Sequence, residues 1–170
     1  LSRSYFKMIE LIYFFKILDK VNNDDTITTF HLAEGPGGFI EAMMYLRRNK
    51  GDVYHGMTLH SDSKNIPKWH KLQNKFRFSN HIKYEKGPND NGNLLDPQNF
   101  EYCAKTYKNS MEFITGDGGF DFSLDYEKQE LSATKLIYAQ IIYALMMQKK
   151  GGHFVLKIFD IFHKSSIELI

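Results

Sequence analysis

The sequence predicts an α/β fold, a mostly parallel sheet with helices on both faces. Two observations predict the class. Short apolar, β-branched runs alternate with longer stretches of helical periodicity along the whole chain, the pattern of strands linked by crossover helices. A glycine-rich turn, Ala33-Glu34-Gly35-Pro36-Gly37-Gly38-Phe39, joins one such run to one such helix. In open sheets the turn after a strand lies at the carboxyl edge, where nucleotide-like ligands bind.

The elements follow in order. Residues 3–20 read as a helix, with Phe6, Ile9, Ile12 or Tyr13, and Ile17 forming a broad apolar face. Asn22-Asn23-Asp24-Asp25 turns the chain. Residues 27–33 are a buried strand by β-branched and apolar content. The helix after the glycines covers 39–48, with Phe39, Met43, Tyr45 and Leu46 close to helical spacing. A second strand covers 53–59. Pro67 suits the first turn of a helix reaching about residue 76. Trp69, Leu72 and Phe76 share one side of it, and Lys68, Lys71 and Lys75 another. Residues 81–85 are a third strand, 89–93 a loop rich in Asn, 97–107 a short helix, and 112–115 a strand that delivers Asp117 to its end. The longest helix covers 127–150, with Leu131, Ile137 or Tyr138, Ile141, Ile142 and Leu145 facing a core. Lys149 and Lys150 fall in its last turn, where the dipole favours cations, and Gly151 suits the C′ position. A final strand covers 154–158, placing Lys157 inside an apolar run.

Composition narrows the classes. A chain of 170 residues with 42% hydrophobic and 15% aromatic content suits one globular domain. Net charge is +2, too little to argue for nucleic acid without a local patch. Cys103 is the single cysteine, so no internal disulfide forms and a reducing, intracellular setting is expected. The histidines are scattered. His55 and His60, five apart, suit no helical ligand pair, and no metal site is expected. The apolar run 5–18 is interrupted by Lys7, Glu10 and Lys16, so no membrane span is expected. Starting at Leu1 and stopping mid-pattern at Ile170, the sequence reads as a piece of a longer protein, truncated at both ends.

The glycine turn is not a P-loop, because no Gly-Lys-Ser/Thr follows, and it lacks the third glycine of a dinucleotide fingerprint. Read alone it is a ligand cradle or a tight turn. Three further stretches weigh on that choice: Ser2-Arg3-Ser4-Tyr5-Phe6-Lys7, Thr115-Gly116-Asp117-Gly118-Gly119-Phe120-Asp121, and Gly151-Gly152-His153-Phe154-Val155-Leu156-Lys157-Ile158-Phe159-Asp160. With the glycine turn, in this order, they resemble the FtsJ-type RNA 2′-O-ribose methyltransferases. The resemblance is strongest to the mRNA cap 2′-O-methyltransferases of eukaryotes and large DNA viruses, and it spans nearly the whole chain.

The resemblance implies a Rossmann-like, S-adenosylmethionine-dependent methyltransferase fold in a single domain over 1–170. It implies a catalytic Lys-Asp-Lys-Glu tetrad, of which Lys7, Asp117 and Lys157 match the first three members, with Lys157 as base. The fourth, a glutamate on a later strand, has no counterpart before Ile170. For the cofactor, S-adenosylmethionine, it implies Ser2, Gly35, Pro36, Gly37, Gly38, Phe39, Asn93 and Asp117. Asn93 stands where family members often carry an aspartate for the adenine amino group, and its amide oxygen can accept the same bond. The implied partner is RNA, capped mRNA ahead of ribosomal or transfer RNA, with other capping-machinery subunits and no membrane. The implied location is intracellular, in cytoplasm or nucleus, or in a viral factory for a viral source. On that reading the lysines of 67–76 are a solvated helix side first and a phosphate-contacting edge second. A catalytically inactive cofactor- or RNA-binding module is the alternative, on account of the missing glutamate.

The residues alone support the chemistry. A lysine among Leu156 and Ile158 must reach water, a partner or a substrate. A lysine serves as a base when a second cation and partial burial lower its pKa, and a carboxylate beside it can orient the ammonium.

Overall fold

The computed structural model describes residues 2–19, 21–60, 69, 74, 79–119, 129–158 and 161–168. The elements, in chain order, are α1 (Arg3–Phe14), β1 (Thr28–Leu32), α2 (Gly38–Arg47), β2 (Val53–Met57), β3 (Ile82–Glu85), α3 (Pro97–Thr106), β4 (Met111–Gly116), α4 (Gln129–Met147), β5 (Gln148–Leu156) and the short α5 (Lys164–Ile167). The five strands form one sheet in the order β3-β2-β1-β4-β5. Every neighbouring pair is parallel, as expected. The order reverses between β1 and β4, and that crevice is the topological switch point at which doubly wound sheets bind ligands.

Each face of the sheet has its own core. On one face α1 and α2 bury Tyr5, Met8, Ile12, Phe39, Ile40 and Met43 against Tyr54 and Phe113. On the other, Cys103 of α3 and Tyr143, Ala144 and Met147 of α4 pack on Phe30, Leu32, Met57 and Ile114. Four of the five β1 residues are buried, in keeping with the β-branched and apolar content of the run. His31 is the exception in composition. Its ring nitrogens meet the hydroxyls of Thr29 and Thr115 at 2.9 and 2.8 Å, so a buried polar side chain has both partners.

Opposite the switch point, a buried ion pair fixes the start of the sheet. Asp52 accepts from Arg47 at 2.9 Å, from the Ile27 N–H at 2.9 Å and from the Tyr54 hydroxyl at 2.9 Å. The carboxyl end of α4 is tied to the residues before β4. Asn109 and Ser110 donate their N–H groups to the carbonyls of Met146 and Met147 at 3.1 and 2.9 Å, satisfying groups that a helix end leaves open.

Three expectations need correction. The first helix ends at Phe14, not residue 20. Lys16 turns left-handed at φ 53°, and the Ile17 N–H bonds Ile12 O at 3.1 Å. This is a Schellman closure that buries Ile17 against the helix it leaves. The long helix ends at Met147 and passes directly into β5. Lys149 and Lys150 therefore belong to the strand, and Gly151, at φ 82°, sits in a bulge between the Met111–Gln148 and Phe113–His153 pairs. Lys149 ion-pairs Glu112 at 2.8 Å instead of serving the helix dipole. Leu145 is 70% exposed. The core-facing residues of α4 are Ala133, Ile137, Ala139, Tyr143, Ala144 and Met147. The helix expected over 67–76 lies outside the described residues, apart from Trp69, which is buried against Tyr84, and Asn74. Among the described residues no helix is long and apolar enough to cross a membrane.

Candidate active site

The glycine turn leaves β1 at the switch point. Ala33 takes a left-handed φ of 56°, and Glu34 bonds its N–H to Met57 O of β2 at 3.1 Å. Gly37, at φ 103°, is the N-cap of α2 and has no side chain to cap it. Glu34 supplies the cap: its Oε1 accepts the N–H groups of Phe39 at 2.7 Å and Ile40 at 3.1 Å. Its carboxyl is fully enclosed. Burial pushes its pKa up to about 8, against the two N–H bonds, and the nearby Asp117 charge pushes the same way.

The first helix is docked on this turn. Ser2 caps α1 by accepting the Tyr5 N–H at 3.3 Å, and its hydroxyl bonds that of Ser4 at 2.8 Å. A Cβ on Gly38 would lie 2.1 Å from Ser2 Oγ, 2.2 Å from Ser4 Oγ and 2.9 Å from the Tyr5 nitrogen. Gly38 is thus glycine because α1 abuts it, not because its backbone is left-handed. Lys7 sits on the second turn of α1, exposed, and makes no ion pair with a described residue.

Asp117 follows β4 immediately, one strand from the glycine turn. Its N–H reaches Leu32 O at 3.3 Å. Lys157 follows β5, and its N–H continues the ladder to Gly116 O at 2.8 Å. It therefore stands at the strand end and not in the strand centre. The two side chains form an ion pair between Lys157 Nζ and Asp117 Oδ1. That oxygen is closed off from solvent and finds no hydrogen-bond donor beyond this ion contact among the described residues.

After β3 the chain builds a stitched loop. Gly92, at φ 59°, packs so closely that a Cβ would lie 2.0 Å from Thr58 O, and the His60 N–H bonds Asn91 O at 2.7 Å. The buried Asn99 donates to Asn91 Oδ1 at 2.6 Å and to Asn93 O at 3.0 Å. Asn93 itself is half-buried, and its Oδ1 accepts the Leu95 N–H at 3.0 Å, which leaves one lone pair of that oxygen for a ligand.

The expected residues thus divide. Gly35, Pro36, Gly37, Asp117 and Lys157 converge on the switch point, while Asn93 stands on the neighbouring strand's loop. Ser2, Gly38 and Phe39 hold α1 and α2 together at that point, and Phe39 is a core residue whose N–H is already taken by Glu34. Glu34, Asn99 and Gln140 are parts of the site that composition and spacing did not single out. A carboxylate inside a glycine turn and a glutamine inside an apolar helix were the available signals.

The FtsJ-like methyltransferase family matches this chain over residues 1–170. The chain belongs to that family. Similar relatives include the mouse cap-specific mRNA (nucleoside-2′-O-)-methyltransferase 1, 29% identical over 91% of this chain and 19% of the relative. The inactive cap-specific mRNA (nucleoside-2′-O-)-methyltransferase 1B of Caenorhabditis briggsae is 28% identical over 87% of this chain and 18% of the relative. The chain thus spans under a fifth of the length of these two curated relatives. A structure described as a ribosomal RNA methyltransferase of Plasmodium falciparum shares the fold, with a TM-score of 0.63 at 13% identity over 98% of this chain and 82% of that one.

Membership of the FtsJ-like family makes S-adenosylmethionine the cofactor, and the residues present fit it. Its sulfonium and ammonium are cations, and at the crevice Asp117 supplies a carboxylate whose Oδ1 is closed off from solvent and paired with Lys157. Gly35 to Gly37 form the turn between β1 and α2 at this edge, and Asn93 Oδ1, with one bond from the Leu95 N–H, has a lone pair to spare.

Proposed function

We propose that this chain is the catalytic domain of an S-adenosylmethionine-dependent RNA ribose 2′-O-methyltransferase that acts on the first nucleotides of capped mRNA. The observation that carries the reading is the Asp117–Lys157 ion pair at the switch point, one strand from the glycine turn. The bound cofactor supplies an activated methyl group on a sulfonium. The work left to the protein is positioning and proton removal. Asp117 holds Lys157 Nζ at the crevice; once it has lost its own proton, Nζ is the group that takes the proton of the 2′-hydroxyl, while a bound S-adenosylmethionine would supply the methyl group and leave as the thioether. Lys7, on the helix docked against the glycine turn, contributes a second cation on the substrate side. Glu34 keeps the turn in shape by capping α2.

The cap assignment rests on the sequence motifs and on similarity to cap-specific relatives. Partners among other capping subunits, and an intracellular location in cytoplasm, nucleus or viral factory, are part of the same proposal. Similarity to an inactive nematode relative favours a second reading, a cofactor- or RNA-binding module without transfer activity.

The test is to incubate the full-length protein with labelled S-adenosylmethionine and, separately, an N7-methylated capped RNA, an uncapped RNA and a ribosomal fragment. Label on the 2′-oxygen of the first or second capped nucleotide is expected. Label only on the other RNAs would discard the cap. Cofactor binding without label on any RNA would move the weight to the inactive module.

A further inference from the structure

We propose that Gln140 of α4 is a positioning residue for methyl transfer, setting the place of the Asp117 carboxylate opposite Lys157. This rests on the catalytic reading above. Gln140 is fully buried in an otherwise apolar stretch of helix, and a buried amide needs partners at both ends. Its Nε2 donates to Leu136 O, one turn back, at 3.0 Å, and its Oε1 accepts the Gly118 N–H at 2.8 Å. The donor bond to its own helix fixes which way the amide faces, so the oxygen is aimed at the loop.

The contact also explains the glycines on either side of Asp117. A Cβ on Gly116 would lie 2.7 Å from Gln140 Oε1, and one on Gly118 would lie 2.8 Å from Gln140 Nε2. Gly118 is moulded to this one side chain, and Gly116 to it together with Leu156, whose Cδ1 would lie 2.9 Å from the added Cβ. The turn has three fastenings. Asp117 N–H to Leu32 O ties it to β1, and Gly116 O to the Lys157 N–H ties it to β5. Both act at or before Asp117. The residue after it is held, among the described residues, by Gln140 alone. Without Gln140 the backbone of Asp117 is fixed from one side only, and its carboxylate loses its set direction toward Lys157.

The experiment uses the full-length protein as wild type, Gln140→Met, Gln140→Glu and Gly118→Ala. Met removes donor and acceptor at similar volume. A neutral, buried Glu presents the same acceptor to Gly118 and a donor to Leu136. Gly118→Ala pushes on the contact from the loop side and leaves α4 intact, so it serves if Gln140→Met does not fold. Gln140→Met and Gly118→Ala are expected to lower kcat by ~10- to 100-fold, the scale of a misplaced group, with KM for RNA little changed and the pH–rate profile displaced. Gln140→Glu should recover most of the loss. Hydrogen exchange across residues 116–119 should quicken in Gln140→Met. A wild-type kcat and pH profile in Gln140→Met or, where that variant does not fold, in Gly118→Ala, would overturn the proposal. So would a Gln140→Glu variant as impaired as Gln140→Met. If the wild-type protein transfers no methyl group, the catalytic reading fails by itself. The clamp is then judged by exchange and cofactor affinity: faster exchange with weaker binding supports it, and no change in either overturns it.

Discussion

Replacing Glu34 by glutamine should remove one limb of the stability–pH curve. Glutamine matches the protonated glutamic acid in shape and keeps an oxygen for the Phe39 and Ile40 N–H groups. The carboxyl's pKa is pushed from 4.5 to about 8 by burial, so the folded chain holds a proton there that the unfolded chain has released. The folded state binds more protons in this window, so stability falls as pH rises between 4.5 and about 8 and is level beyond. At about 1.36 kcal/mol per unit, 3.5 units set a ceiling of roughly 5 kcal/mol. His31 works in the opposite sense. Burial, then the His55 charge, pushes it from 6.5 down to about 3, so its contribution rises with pH across that range. The wild-type curve should therefore climb from pH 3 to 4.5, run level to 6.5 and fall to about 8. The assay is urea unfolding of wild type and Glu34→Gln at half-unit steps from pH 4.5 to 9, and the readout is their difference, which cancels His31. The variant should match wild type near pH 4.5 and exceed it by several kcal/mol above pH 8. A flat difference across the range would show that Glu34 is ionised in the fold and would refute the reasoning.

Three other outcomes are expected. Lys157→Met should cost ~10²- to 10⁴-fold in single-turnover methyl transfer, the range of a general base, with cofactor affinity by calorimetry unchanged; transfer at the wild-type rate would remove Lys157 from the mechanism. Asp52→Asn leaves Arg47 buried without its counter-charge and should lower unfolding free energy by roughly 3–5 kcal/mol, read as a shift in the urea midpoint; a loss under about 1 kcal/mol would mean the pair is solvated. Gly92→Ala must hold φ near 59° and displace Thr58 O, so cofactor affinity should fall while transfer at saturating cofactor persists; unaltered affinity would detach this loop from the cofactor.

The parallel sheet and the glycine turn at a strand's carboxyl end were legible because parallel strands announce themselves as apolar runs and glycines mark where backbones crowd, whereas the order of the strands, and with it the switch point, came only with the structure. Asp117 and Lys157 were legible as polar residues that an apolar strand must deliver to an edge. The reasons behind some glycines were not. Gly38 reads as one more glycine of the turn, yet it answers the serines at the start of α1, more than thirty positions earlier, and Gly116 and Gly118 answer a glutamine more than twenty positions later. Such contacts are set by packing between distant segments, which local pattern does not encode. The early end of α1 was hidden for a related reason. Phe14, Phe15 and Ile17 keep helical apolar content, and the left-handed Lys16 is selected by the burial of Ile17, not by its own preference.

The fastening of β4 to α4 at both of its ends works as a length gauge. Below the strand, Asn109 and Ser110 grip the last carbonyls of the helix; above it, Gly118 meets Gln140. The six residues of β4 thus span a fixed distance between two marks on one rigid rod. An insertion or deletion of a single residue in 111–116 would pull one mark out of reach and also swap the faces of every side chain beyond it. Substitutions there can be absorbed one at a time, whereas changes in the number of residues cannot.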